Sequence, residues 1–168
     1  EEGGEAVFTV RLMSEPSADS VYVNISSDNE TEGTVSPSSL TFIKTNWRSE
    51  QTVRVRGVDD NVSDGNAGFR IVLADNASTG ASEYVGLNPP DVMLSNIDDE
   101  SPGFVVSSVS GSVTEEGGEA VFTVRLMSQP SANSVYVNIS SDNVTEGVVS
   151  PSSLTFTMTD WRSEQTVR

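Results

Sequence analysis

Apolar and polar residues alternate with period two through most of this chain, the mark of strands with one buried face. Phe8, Val10 and Leu12 fall on one side of their segment, Thr9 and Arg11 on the other. Val21, Val23 and Ile25 form the next inward row, then Leu40 and Phe42, then Val53 and Val55 with Arg54 and Arg56 turned outward. Phe69, Ile71 and Leu73 continue the pattern and Val92 and Leu94 end it, while Phe104 to Val113 forms an opening strand for another round. Turns rich in Gly, Pro, Asn and Ser, such as Ser36-Pro37-Ser38-Ser39, separate the rows. No segment keeps a helical period over three turns. Seven short strands, A to G, predict an all-β fold: an antiparallel β-sandwich of immunoglobulin-like architecture. The strands carrying Arg54, Arg56 and Arg70 are expected at sheet edges, where charge discourages pairing with another chain.

Residues 1–54 recur at 115–168 with 47 of 54 positions identical, which fixes a period of 114 residues. That is longer than the roughly 20–50 residues of solenoid repeats, so each unit should own a core and the units should follow one another as tandem sandwiches. The expected domains are 1–100, a first repeat lacking its opening strand, and 101–168, a second repeat lacking its last strands. The chain then reads as a window on a longer array. The seven differences are Glu15/Gln129, Asp19/Asn133, Glu30/Val144, Thr34/Val148, Ile43/Thr157, Lys44/Met158 and Asn46/Asp160. Most are expected in loops or on outward faces. Trp47 and Trp161, between strands D and E, are expected to plug one end of each core, with sugar stacking as the alternative. Tyr84 and Leu87 are expected to pin the loop before Val92.

Charge narrows the function classes. A net charge of −16, with one Lys and eight Arg, argues against nucleic acid and anionic lipid, which are bound by clustered Lys and Arg. No run approaches the roughly 20 apolar residues of a membrane span, so direct membrane insertion is not expected. The absence of Cys and His removes disulfide staples, thiol chemistry, the usual zinc sites and His-based triads. No enzyme is expected.

The acidity is clustered. Gly57-Val58-Asp59-Asp60-Asn61-Val62-Ser63-Asp64-Gly65 leaves one strand and enters another with three carboxylates, and Asp98-Asp99-Glu100 closes the same round. Like charges about 4 Å apart repel by about 4 kcal/mol per pair at an effective dielectric near 20. Crowded oxygen ligands suit a hard cation such as Ca²⁺, which takes about six to eight oxygens. In an antiparallel sandwich the loop after strand E, the end of strand G and the A–B turn can share one pole. A solvated acidic rim without metal is the alternative.

These motifs resemble those of the Calx-β domain, the calcium-binding sandwich of sodium/calcium exchangers, integrin β4 and many bacterial surface proteins. The carriers are Val113-Thr114-Glu115-Glu116-Gly117-Gly118, Leu40-Thr41-Phe42, Val58-Asp59-Asp60 with Asp64, and Asn96-Ile97-Asp98-Asp99-Glu100. The resemblance implies Ca²⁺ ligands at Glu1 and Glu115 after strand A, at Asp59, Asp60 and Asp64, and at Asp98, Asp99 and Glu100. Glu100 stands where the family usually has Asp. Where the family often has Asp-Tyr between strands C and D, this chain has Thr31-Glu32-Gly33, so Glu32 and its repeat Glu146 join the candidate ligands. The Asn46-Trp47-Arg48-Ser49-Glu50-Gln51 connection also departs from the family's Gly-rich turn.

The expected function is a calcium-stabilised structural spacer in a large extracellular adhesin or surface filament, with Ca²⁺ rigidifying the sandwich pole and the inter-domain joint. Its partners would be neighbouring repeats and other copies in a filament. The competing expectations are an adhesion module binding glycan or protein receptors and a regulatory calcium sensor. Six Asn-X-Ser/Thr sequons, at Asn24, Asn29, Asn61, Asn76, Asn138 and Asn143, mark candidate glycosylation sites, where about three would arise by chance.

Overall fold

The computed structural model describes residues 3–17, 20–75 and 83–168. The described chain is all-β and folds into two compact units, Glu1–Asp60 with Gly65–Asp98, and Asn61–Asp64 with Asp99–Arg168. Four residues of the loop after strand E therefore count with the second unit.

Among the described residues the first unit holds seven strands: β1 Glu5–Val10, β2 Val21–Ser27, β3 Gly33–Ser36, β4 Ser39–Phe42, β5 Gln51–Gly57, β6 Ala67–Asp75 and β7 Val92–Asn96. They form a three-stranded sheet ordered β1-β5-β3 and a four-stranded sheet ordered β4-β2-β6-β7, with antiparallel pairing throughout. The inward rows meet in one core. Val53, Val55 and the half-buried Phe8 and Val10 come from the first sheet; Val23, Ile25, Phe42, Ile71 and Leu73 come from the second. Period-two patterning places these side chains on facing sides, and apolar burial at about 25 cal/mol per Å² holds the layers together. Trp47 packs on this core and its carbonyl accepts the Leu12 N–H at 3.0 Å, consistent with the expected plug.

Three details depart from the sequence reading. The pairing of β3 with β5 adds a strand after strand C that the alternation does not announce, because Val35 is the only large apolar residue in it. The arginine-bearing strands β5 and β6 lie inside their sheets, and β1, β3, β4 and β7 are the edges. Outward-facing Arg can sit on an inner strand because its charge lies above the sheet, not in the plane of pairing. On β6, the Arg70 Nε meets Asp28 Oδ2 at 3.0 Å and the Arg70 N–H donates to Asp28 Oδ1 at 2.7 Å, which hold the Asp28 carboxyl below its usual range. Tyr84 does pin its loop, donating to the Ser14 carbonyl at 2.7 Å, whereas Leu87 is exposed.

The second unit comprises β8 Phe104–Val106, β9 Ser110–Thr114, β10 Gly118–Leu126, β11 Ser134–Asn138, β12 Ser153–Thr157 and β13 Gln165–Val167. The opening strand expected as one run from Phe104 to Val113 is thus two. At the break, the Thr123 N–H donates to the Ser107 side-chain oxygen at 2.8 Å, so the hydroxyl replaces a rung of the main-chain ladder. β10 pairs with β13, β8 and β9, and β11 pairs with β12. Val124, Leu126, Leu154, Phe156, Trp161 and Val167 form its core.

Candidate functional site

Where β5 ends, the chain turns out of its sheet through Gly57 and Val58, and other segments of the first unit meet it there. The Gly57 N–H donates to the Gly4 carbonyl at 2.9 Å, bringing in the turn before β1. The Val58 N–H donates to the Glu32 carbonyl at 3.0 Å, bringing in the turn before β3. Asn96, the last residue of β7, is buried and donates from one amide nitrogen to the Val58 carbonyl at 2.8 Å and to Glu32 Oε2 at 3.3 Å. A Cβ at Gly57 would stand 2.7 Å from Asn96 Oδ1, so the close approach needs glycine. Beyond β7, the Asp98 carboxylate accepts the Gly65 N–H, and the Asp98 N–H donates to Asn66 Oδ1 at 3.0 Å. The start of strand B, the turn after strand C, the end of strand E, the start of strand F and the end of strand G thus occupy one pole, whereas Glu1 of the expected A–B turn lies outside the described residues.

The acidic residues divide as follows. Glu32, Asp60 and Asp98 are half-buried in the first unit, and Asp59 beside them is exposed. Asp64, Asp99 and Glu100 count with the second unit, where the Ser63 hydroxyl donates to the Glu100 carbonyl at 3.3 Å. Glu115 is exposed on the hairpin turn between β9 and β10, and Glu146 is exposed on the turn after Asn143. Glu1 and the sequon residue Asn76 lie outside the described residues. Of the other sequon residues, Asn24 and Asn138 are exposed on β2 and β11. Asn29 and Asn143 cap turns through Thr31 and Thr145, and Asn61 Oδ1 accepts from Arg162.

The donor set at the first unit's pole is carboxylate, amide and carbonyl oxygen, which fits a hard cation and offers nothing to a soft one. Glu32, Asp59, Asp60 and Asp98 are the candidate ligands that the first unit brings to this pole. Asn96 is the residue sequence reasoning missed. It occupies the inward position that follows Val92 and Leu94, where alternation calls for an apolar side chain, and a buried polar residue on a core-facing position needs partners. Here the partners are the two loops that carry Glu32 and Asp59.

The sequence matches the Calx-beta domain over residues 1–101 and again over 98–147. No curated protein matches the chain. The two matched stretches follow the repeat, and together they take in both the pole of the first unit and the hairpin that opens the second. The chain belongs to the Calx-beta domain family of calcium-associated β-sandwich modules.

Proposed function

We propose that this chain is a calcium-stabilised spacer from a large extracellular adhesin or surface filament. The observation that supports it most is the gathering of Glu32, Val58–Asp60 and Asn96–Asp98 at one pole of the first unit. The chain passes between the units at Asp60–Asn61, at Asp64–Gly65 and at Asp98–Asp99, so every crossing is flanked by a carboxylate. An ion held at the first unit's pole would restrain Asp60 and Asp98, the residues from which the chain leaves that unit, and in this reading would stiffen the array. Neighbouring repeats, and other copies in a filament, are the partners in this reading, and the setting is the cell surface. Near-identical tandem repeats suit building an extended structure better than sensing calcium.

Small-angle scattering of the chain in calcium and in EDTA tests the mechanical role. The maximum dimension and the breadth of the distance distribution should change on chelation, with a stiffer particle in calcium. Superimposable curves would contradict the spacer reading. Glycan or receptor binding by the calcium-loaded chain would favour the adhesion module instead.

A further inference from the structure

The second unit contains an inserted loop whose docking position exists in duplicate. Asn61–Asp64 counts with that unit, and three contacts hold it. The Gln129 N–H donates to the Asn61 carbonyl at 2.7 Å, Val62 bridges to Gln129 in parallel, and Arg162 Nη2 donates to Asn61 Oδ1 at 2.9 Å. Arg162 is aimed by its own neighbour, since its guanidinium stacks 4.6 Å from the centroid of Trp161.

Among the described residues, the first unit carries the matching Arg-on-Trp pair with no loop bound to it, and its neighbouring Ser14 is held by Tyr84. Arg48 stacks on Trp47 at 4.7 Å, so the guanidinium is already organised. Pro16 is buried as Pro130 is, so the strand-to-loop corner that presents the amide is kept. Among the described residues the Glu15 N–H, counterpart of the Gln129 N–H, has no hydrogen-bond partner. Ser14 is exposed where Ser128 is buried. One residue differs in kind: Glu15 stands where the occupied site has Gln129.

We infer that Glu15 and Arg48 form a docking site for the Asn-Val-Ser-Asp loop of a further repeat of this sequence. The Glu15 N–H would take the carbonyl of the loop Asn, and Arg48 its side-chain oxygen. A further repeat would then be strapped to the first unit through its loop. Glu15 weakens the site, because a carboxylate beside an acidic loop is repelled where Gln129 is not. The inference does not rest on calcium, and its test excludes calcium.

The test titrates a synthetic peptide of residues 57–66 onto the isotope-labelled 168-residue chain in EDTA, to millimolar concentration, followed by NMR. The Glu15 amide and the Arg48 guanidinium resonances should shift along one curve, while those of Gln129 and Arg162, already engaged, should not. Glu15→Gln should tighten binding about two- to fivefold, the size of an exposed charge contact. Arg48→Ala should abolish the shifts and Arg162→Ala should leave them. Peptide shifts unaltered by Arg48→Ala, or no shift at either group in the Glu15→Gln chain, would overturn the inference.

Discussion

The two units share 47 of 54 aligned residues, yet the same side chains meet different surroundings. Phe42 and Phe156 are both fully buried, as are Val53 and Val167, so the inward rows of strands D and E form wherever the sequence recurs. Gly33 is buried with its missing Cβ aimed at the Phe69 ring, whereas Gly147 faces open space. Val21 is buried and Val135 half-buried; Tyr22 is half-buried and Tyr136 is 73% exposed. The reason is non-local. In the first unit β2 is flanked by β6, a strand drawn from beyond the 54 residues that recur. Strand identity is written locally, whereas burial depends on strands supplied from far along the chain.

Mutations can separate those contributions, read through Trp47 for the first unit and Trp161 for the second in single-Trp variants, because two units need not unfold together. The largest effect is expected for Phe42→Ala, which should cost the first unit about 3–5 kcal/mol in denaturant and leave the Trp161 transition in place. Gly33→Ala puts a Cβ 2.2 Å from the Phe69 ring and should cost about 1–3 kcal/mol. Gly147→Ala should stay within about 0.5 kcal/mol, so equal costs at the two glycines would break the comparison. Asn96→Ala removes the donor shared by Val58 and Glu32 and should cost about 1–3 kcal/mol, because a half-buried carbonyl and a carboxylate oxygen lose their partner.

A subtler contrast lies in two of the seven differences. In the first unit Asn46 Oδ1 accepts the Ile43 N–H at 2.6 Å and its amide donates to the Thr41 carbonyl at 3.3 Å. In the second, Asp160 cannot donate, and the Thr157 hydroxyl supplies a new donor to it at 2.8 Å beside the Thr157 N–H at 2.5 Å. Ile43/Thr157 and Asn46/Asp160 are therefore one exchange made at two positions. Asn46→Asp alone should destabilise the first unit, and adding Ile43→Thr should return about 0.5–1.5 kcal/mol in a double-mutant cycle.

The smallest effect is a pH dependence of that turn. Hydrogen bonds from the Thr157 N–H and hydroxyl hold the Asp160 carboxyl below its usual range. A depressed folded pKa contributes stability that is present above the unfolded value and lost as pH falls through the folded one. The turn at Asp160 should therefore loosen in acid below the ordinary carboxylate range, while the Asn46 turn, which does not titrate, should not. Amide exchange at Thr157 and Ile43 across that range checks it.

Much of this was legible in the sequence. Alternation located the inward rows because each has two or three apolar residues at period two. β3 escaped because Val35 stands alone in it, and the break in the opening strand escaped because it turns on the Ser107 hydroxyl. The edge assignment of the arginine strands failed because composition reports what faces solvent, not which strands are neighbours. At the pole, the acidic residues were visible as clusters, whereas the two-loop role of Asn96 and the transfer of Asn61–Asp64 to the second unit depend on contacts between distant segments.

In the proposed function the carboxylates at the first unit's pole hold calcium. Carboxyl-carbon NMR of the chain under a calcium titration tests it most directly, with exposed Glu50 as the internal reference. The account predicts that the resonances of Asp59, Asp60 and Asp98 move together along a saturating curve that EDTA reverses, while Glu50 stays near its starting position. Shifts at those three groups no larger than at Glu50, at any calcium concentration, would contradict it.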